Sequence, residues 1–118
     1  VVRMTLNEIK TLLDGEVLNL GPGLDALVPC AIASDMISDI LMSCREPSLL
    51  LTGLTNNQVI RLSDMVDLVG IVFVRSKRPL DDIVEMARER NLPLIVTSKT
   101  LYTASGLLYN AGLRSSDI

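Results

Sequence analysis

The sequence predicts an α/β fold: three α/β/α layers around a mainly parallel sheet of about five strands. Three observations carry this expectation. Apolar runs such as Leu49–Leu51, Val69–Val74 and Leu92–Val96 lack polar alternation, so both faces of each strand need cover. Each run ends near a Thr, a Ser or a Gly and leads into an amphipathic helical pattern, which makes the connections right-handed crossovers between parallel strands. A chain of 118 residues with 48% hydrophobic content suffices for one core and not for two.

Thr5-Leu6-Asn7-Glu8 is a capping-box pattern, with Leu6, Ile9 and Leu13 at helical spacing until Asp14-Gly15 ends the first helix. Glu16–Leu20 alternates as a strand does, and Gly21-Pro22-Gly23 suits a tight turn. Val28–Ala33 reads as a single buried strand leading to Ser34 as an N-cap. The helix 35–43 then aligns Ile37, Ile40, Leu41 and Cys44 on one stripe. Met36 and Met42 widen that stripe, which leaves ordinary core packing and a subunit interface both open.

A strand-then-helix unit follows three times. Ser48–Gly53 precedes a helix over 56–66 with Val59, Leu62 and Val66 aligned, and Val69–Val74 precedes a helix over 80–90. In the latter, Leu80, Ile83, Val84 and Ala87 share a face, with Asp81 and Asp82 in the first turn and Arg88 and Arg90 in the last, as the helix dipole favours. Leu92–Val96 precedes a helix over 99–110, stopped by Ala111-Gly112. One domain is expected over 4–113, with 114–118 as a frayed tail.

Several functions are disfavoured by composition. The apolar runs are too short to span a bilayer, and no basic segment followed by an apolar stretch opens the chain, so a cytoplasmic location without membrane partners is expected. The opening Val1-Val2-Arg3-Met4 leaves open a fragment, a non-standard start or a natural beginning at Met4. There is no histidine, and Cys30 and Cys44 form no CxxC pair, which removes the usual zinc, redox and Ser-His-Asp signatures. Both cysteines are read as buried apolar residues. A net charge of −3 and three aromatic residues, Phe73, Tyr102 and Tyr109, speak against nucleic acid as a partner. The carboxylate pairs Asp35/Asp39 and Asp64/Asp67 are read as solvated helix faces or ends. No metal, cofactor or catalytic residue is therefore assigned.

In open α/β sheets, ligands sit beyond the carboxyl ends of the strands, where helix starts offer N–H groups to anions. The tentative ligand-binding set there is Thr52, Gly53, Thr55, Arg75, Lys77, Arg78, Thr97, Ser98, Lys99 and Thr100, with Ser34 and Ser76 beside it. Ordinary capping by the hydroxyls and solvation of the basic loop form the competing account. No GxxxxGK[ST] motif occurs, and Gly21-Pro22-Gly23-Leu24-Asp25 lacks the third glycine of a dinucleotide fingerprint.

The order of segments resembles the DRTGG domain family, itself similar to the non-catalytic amino-terminal domain of bacterial HPr kinase/phosphorylase. The resemblance rests on Met4-Thr5-Leu6-Asn7-Glu8-Ile9, Leu49-Leu50-Leu51-Thr52-Gly53, Ile71-Val72-Phe73-Val74 and Asn91-Leu92-Pro93-Leu94-Ile95-Val96-Thr97, and covers 4–113. The chain departs from the family at Leu54-Thr55, where an acidic-basic pair is common. The resemblance implies an accessory, interface-forming domain of the kind found alone or beside CBS domains, phosphotransacetylases and certain pyrophosphatases, with no kinase activity.

Two functions follow as expectations. The first is a non-catalytic regulatory or protein-interaction module, a homodimer with an anionic metabolite or nucleotide, or a partner protein, as its ligand. The alternative is a small phosphate-handling enzyme using Lys99 or Arg75, which would need a concave site joining Thr52, Arg75 and Thr97.

Overall fold

The structure, a computed structural model, describes residues 4–116. Its first helix, α1 (Leu6–Leu12), starts where Thr5 and Glu8 close on each other: the Thr5 hydroxyl accepts from Glu8 N at 3.1 Å and Thr5 N donates to the Glu8 carboxylate at 2.9 Å. Two of the orphan donors of the first turn are thereby satisfied. Met4–Thr5 (β1) also pairs antiparallel with Leu27–Val28 (β3), forming a small ribbon apart from the main sheet. The strand expected over 28–33 is thus two elements, because Pro29, which has no N–H to give a ladder, divides β3 from Cys30–Ala33 (β4).

Among the described residues the main sheet has six strands. Glu16–Asn19 (β2), β4, Ser48–Thr52 (β5), Leu68–Phe73 (β6), Leu94–Val96 (β7) and Arg114–Ser115 (β8) lie in the order β2-β7-β6-β5-β4-β8. All neighbours pair in parallel except β2, which runs antiparallel to β7 at one edge. The mixed α/β fold with a mainly parallel sheet is as the sequence predicts. The sixth strand is the segment expected to fray. Ser116 is buried, its N donates to Ala31 O at 3.1 Å and its hydroxyl to Ser43 O at 2.9 Å, so residues 114–116 extend the sheet. Residues 117 and 118 of that expected tail lie outside the described residues.

The remaining helices are α2 (Ile37–Ser43), α3 (Asn57–Arg61, continued by a 3-10 turn over Leu62–Asp64), α4 (Asp81–Glu89) and α5 (Leu101–Asn110). Alternate strand residues separate two apolar clusters. Leu50, Ile71, Phe73, Leu94 and Val96 pack with Ile40 of α2, Val59 and Ile60 of α3, and Ile83 and Ala87 of α4. Leu49, Leu51, Val72, Val74 and Ile95 pack instead with Leu6 and Ile9 of α1 and Ala104 and Leu108 of α5. This is the two-residue period of a strand with cover on both faces, each fully buried leucine contributing about 1.5–3 kcal/mol.

Some helix boundaries differ from expectation. Helix α2 begins at Ile37 rather than 35, with Met36 at its cap, and the Ser34 hydroxyl accepts from Met36 N at 3.0 Å in a local turn. Leu80 caps α4 and is exposed, so the buried face of that helix is carried by Ile83 and Ala87. Cys30 is fully buried, while Cys44 is half-buried against the α2–α4 cluster.

Candidate functional site

Strand register sets the carboxyl edge of the sheet. Thr52 lies opposite Phe73, and Phe73 opposite Val96, so the loops after β5, β6 and β7 leave the sheet side by side. Beyond β6 the chain turns back at Val74-Arg75-Ser76-Lys77, with Arg75 at φ 57° and Ser76 at φ 55° and Lys77 N donating to Val74 O at 3.1 Å. Two successive left-handed residues are the backbone of a mirror-image turn, a conformation usually given to Asn or Gly. Two further hydrogen bonds hold it: Arg75 N donates to Lys99 O and Ser76 N to Thr97 O, both at 2.8 Å. The β6 and β7 loops are thereby sewn together.

That seam borders a cavity of about 370 Å³ lined by Asp14, Gly15, Glu16, Ser76, Arg78, Val96, Thr97 and Ser98. Arg75, Lys77 and Ser98 are exposed and Lys99 is half-buried, and none of the three cations makes an ion pair among the described residues. Arg78 differs. Its guanidinium grips Glu16 through two hydrogen bonds of 2.9 Å each, tying the β6 loop to β2. Bonding to Arg78, then its charge, holds the Glu16 carboxyl below its usual range, and Glu16 in turn raises Arg78.

The hydroxyls expected to face a ligand are largely used within the fold. Thr97 is buried and donates to Leu13 O at 2.6 Å, while accepting from Lys99 N at 3.2 Å. The Thr100 hydroxyl caps α5 by accepting from Thr103 N at 3.2 Å. Thr55 is half-buried, one residue before Asn56, whose carboxamide caps α3.

Thr52 and Gly53 stand apart from this group. Thr52 is buried and its hydroxyl donates to Asp35 Oδ1 at 3.0 Å, while Gly53 N donates to the same oxygen at 2.7 Å. The carboxylate of Asp35 thus sits where an anion at the β5 end would be held. Asp35 is exposed, in keeping with the solvated position expected of it, and only its place just after β4, across from the Thr-Gly of β5, could have pointed to this contact. Of the other acidic pair, Asp64 receives two hydrogen bonds of 3.1 Å from Arg90, which lower its titration, with the smaller pulls of Arg90 and Arg61 charge set against burial. Among the described residues, no cluster of three or more His, Cys, Asp or Glu side chains is arranged to hold a metal ion, and no helix is long and apolar enough to cross a membrane.

A larger cleft was not anticipated. It measures about 780 Å³ and lies between α5 and the β4–β8 edge, lined mainly by apolar side chains together with Tyr102 and Tyr109.

No family model matches the chain, and neither does any curated protein. A solved structure is similar: the CBS and DRTGG domains of the regulatory region of Clostridium perfringens pyrophosphatase, in complex with the activator diadenosine tetraphosphate. The match has a TM-score of 0.70 at 19% identity and covers 96% of this chain and 48% of that one, so this chain spans about half of its length. The likeness is one of fold, and it supports a DRTGG-like fold.

Proposed function

We propose that the chain is a non-catalytic regulatory module of α/β/α build, working in the cytoplasm as a homo-oligomer and sensing a nucleotide or another anionic metabolite. On this reading its likeness extends to the non-catalytic domain of HPr kinase/phosphorylase, and the binding surface is the seam between the β6 and β7 loops. The observation that carries it is the pair of backbone hydrogen bonds from Arg75 and Ser76 to Lys99 and Thr97. The pair joins the backbone of Arg75 to that of Lys99, with Lys77 two residues along, next to a cavity lined by Ser76, Arg78, Thr97 and Ser98 together with Asp14 and Glu16. Cations carried on a backbone already held in place favour a polyanion, with only their side chains left to be ordered on binding. That the similar Clostridium perfringens region binds a nucleotide activator is consistent with this choice of ligand class.

Turnover is not part of the reading. Thr52 and Thr97 direct their hydroxyls to Asp35 and Leu13 O, so neither is a free nucleophile, and Thr52 and Arg75 do not line the cavity that Thr97 borders. Of the ligand set expected from the sequence, Arg75, Lys77, Ser98 and Lys99 stay with the proposed surface, joined by Ser76. Arg78 serves as a strut, and Thr52 and Gly53 as the seat of Asp35.

The test is a thermal-shift screen of nucleotides and phosphorylated metabolites. A ligand at a hundred times its Kd adds about 2.7 kcal/mol to native stability, a shift of several degrees for a domain of this size. The Arg75→Ala/Lys77→Ala/Lys99→Ala variant is expected to keep its unliganded midpoint and to lose the shift. A shift that survives the triple change would refute the surface.

A further inference from the structure

We infer that the cleft between α5 and the β4–β8 edge receives α5 of a second copy of this chain, in a twofold pair in which each helix lies in the other's cleft. This rests on the self-association proposed above and gives it a surface.

The cleft exists because one strand is covered unequally. Ile32 of β4 is buried beneath α2 on one face of the sheet, whereas Ala33 beside it is exposed on the other and Ala31 only half-buried. On that second face α1 and α5 lie over β5, β6 and β7, and nothing among the described residues continues the cover across β4 and β8. Small side chains keep the floor low, and at Gly106 on the α5 wall an added Cβ would meet no atom within 4 Å. Another helix can therefore approach closely. Arg114, at the end of the cleft, is held by Glu46 and adds no free charge.

Charge narrows the choice of occupant. Helix α5 contains no Asp, Glu, Lys or Arg, whereas each of α1 to α4 contains at least one. Two copies of a chain carrying a net charge of −3 repel each other, so a contact between them is least opposed where charge is absent. A partner chosen by opposite charge would find nothing on α5 to read. Tyr102 and Tyr109 are 89% and 70% exposed and stand two turns apart on one helix face. Tyrosine combines an apolar body with a hydroxyl handle and is common among residues that dominate interfaces. Because α5 both walls the cleft and carries these rings, one set of residues serves both sides of a twofold axis, as a closed dimer requires.

Sedimentation equilibrium or light scattering from low micromolar to near-millimolar concentration tests the inference. The wild-type chain is expected at twice its 12.9 kDa mass. Tyr102→Glu/Tyr109→Glu should return it to monomer at the same concentrations, with the dissociation constant raised roughly tenfold or more per tyrosine. Met36→Glu/Met42→Glu, on exposed positions of and beside α2, should leave the dimer intact. Circular dichroism verifies the fold of each variant, and Tyr109→Ser gives the same reading should the double glutamate variant lose helix. A wild-type monomer throughout would overturn both the cleft and the self-association, leaving the cleft to another kind of ligand. A dimer that survives the tyrosine changes, or that is lost with the α2 changes, would overturn the cleft alone.

Discussion

At the scale of single residues, the carboxyl edge shows polar groups spending their hydrogen bonds inside the fold. Asp35 satisfies both the buried Thr52 hydroxyl and Gly53 N, so Asp35→Ala should lower unfolding free energy by about 1–3 kcal/mol in a urea titration. An unchanged midpoint would mean that water replaces the carboxylate without cost. The Thr97 hydroxyl, bonded to Leu13 O, makes Thr97→Val a comparable loss of about 1–3 kcal/mol, since the carbonyl would be left without its partner. Glu16 gives a pH signature. Its carboxyl titrates below the ordinary 4.5 because Arg78 favours the charged form, so the pair's contribution is present above that value and is lost as pH falls through the lowered one. Arg78→Ala should move the Glu16 midpoint back toward 4.5 when its side-chain carbon is followed by NMR, and a midpoint that stays low would show that another group holds it.

At the scale of elements, three helices end by the same device. After α1, α4 and α5 the residues Asp14, Asn91 and Gly112 take left-handed φ of 51°, 53° and 102°. The next residue's N–H then reaches back to the helix, from Gly15 to Lys10 O, Leu92 to Ala87 O and Leu113 to Leu108 O, at 2.8–3.0 Å. These are Schellman caps, and each delivers the chain directly into a strand, respectively β2, β7 and β8. Because an L side chain in this region costs about 1–2 kcal/mol, Gly112→Ala should destabilise by that amount and Asp14→Gly should stabilise by about 1 kcal/mol. The opposite signs would remove the left-handed conformation from the account. The punctuation was legible at Asp14-Gly15, at Gly112 and in the Thr5 capping box, because those residue types have few other local uses. The turn at Arg75-Ser76 was not, since neither residue advertises positive φ and its geometry is imposed by bonds to Thr97 and Lys99, distant in sequence. Nor was β8, because a two-residue parallel edge strand carries no periodicity and is fixed by Ser116 reaching Ala31 and Ser43.

At the scale of the molecule, the α/β class followed from continuous apolar runs, which have one physical solution: burial on both faces between helices. Which strand lies beside which follows from long-range packing, so the antiparallel β2 at one edge and the β1–β3 ribbon had no local signal. The candidate site was half legible. Its basic loop and its strand-end hydroxyls could be named from sequence, but whether each hydroxyl looked outward or back into the fold depended on partners as far away as Leu13 and Asp35. The cleft along α5 was hidden for another reason: it arises from cover that is missing, and a missing neighbour leaves no mark on the residues that would have met it.

The central claim is that the loops after β6 and β7 bind a polyanion and leave it unchanged. Its most direct measurement is a titration of the 15N-labelled chain with ATP and with diadenosine tetraphosphate, followed by recovery of the nucleotide. Saturable amide shifts centred on Ser76, Lys77, Thr97, Ser98 and Lys99, with the nucleotide recovered intact, are the expected result. Shifts centred elsewhere, no shifts with either compound, or consumption of the nucleotide would contradict the claim.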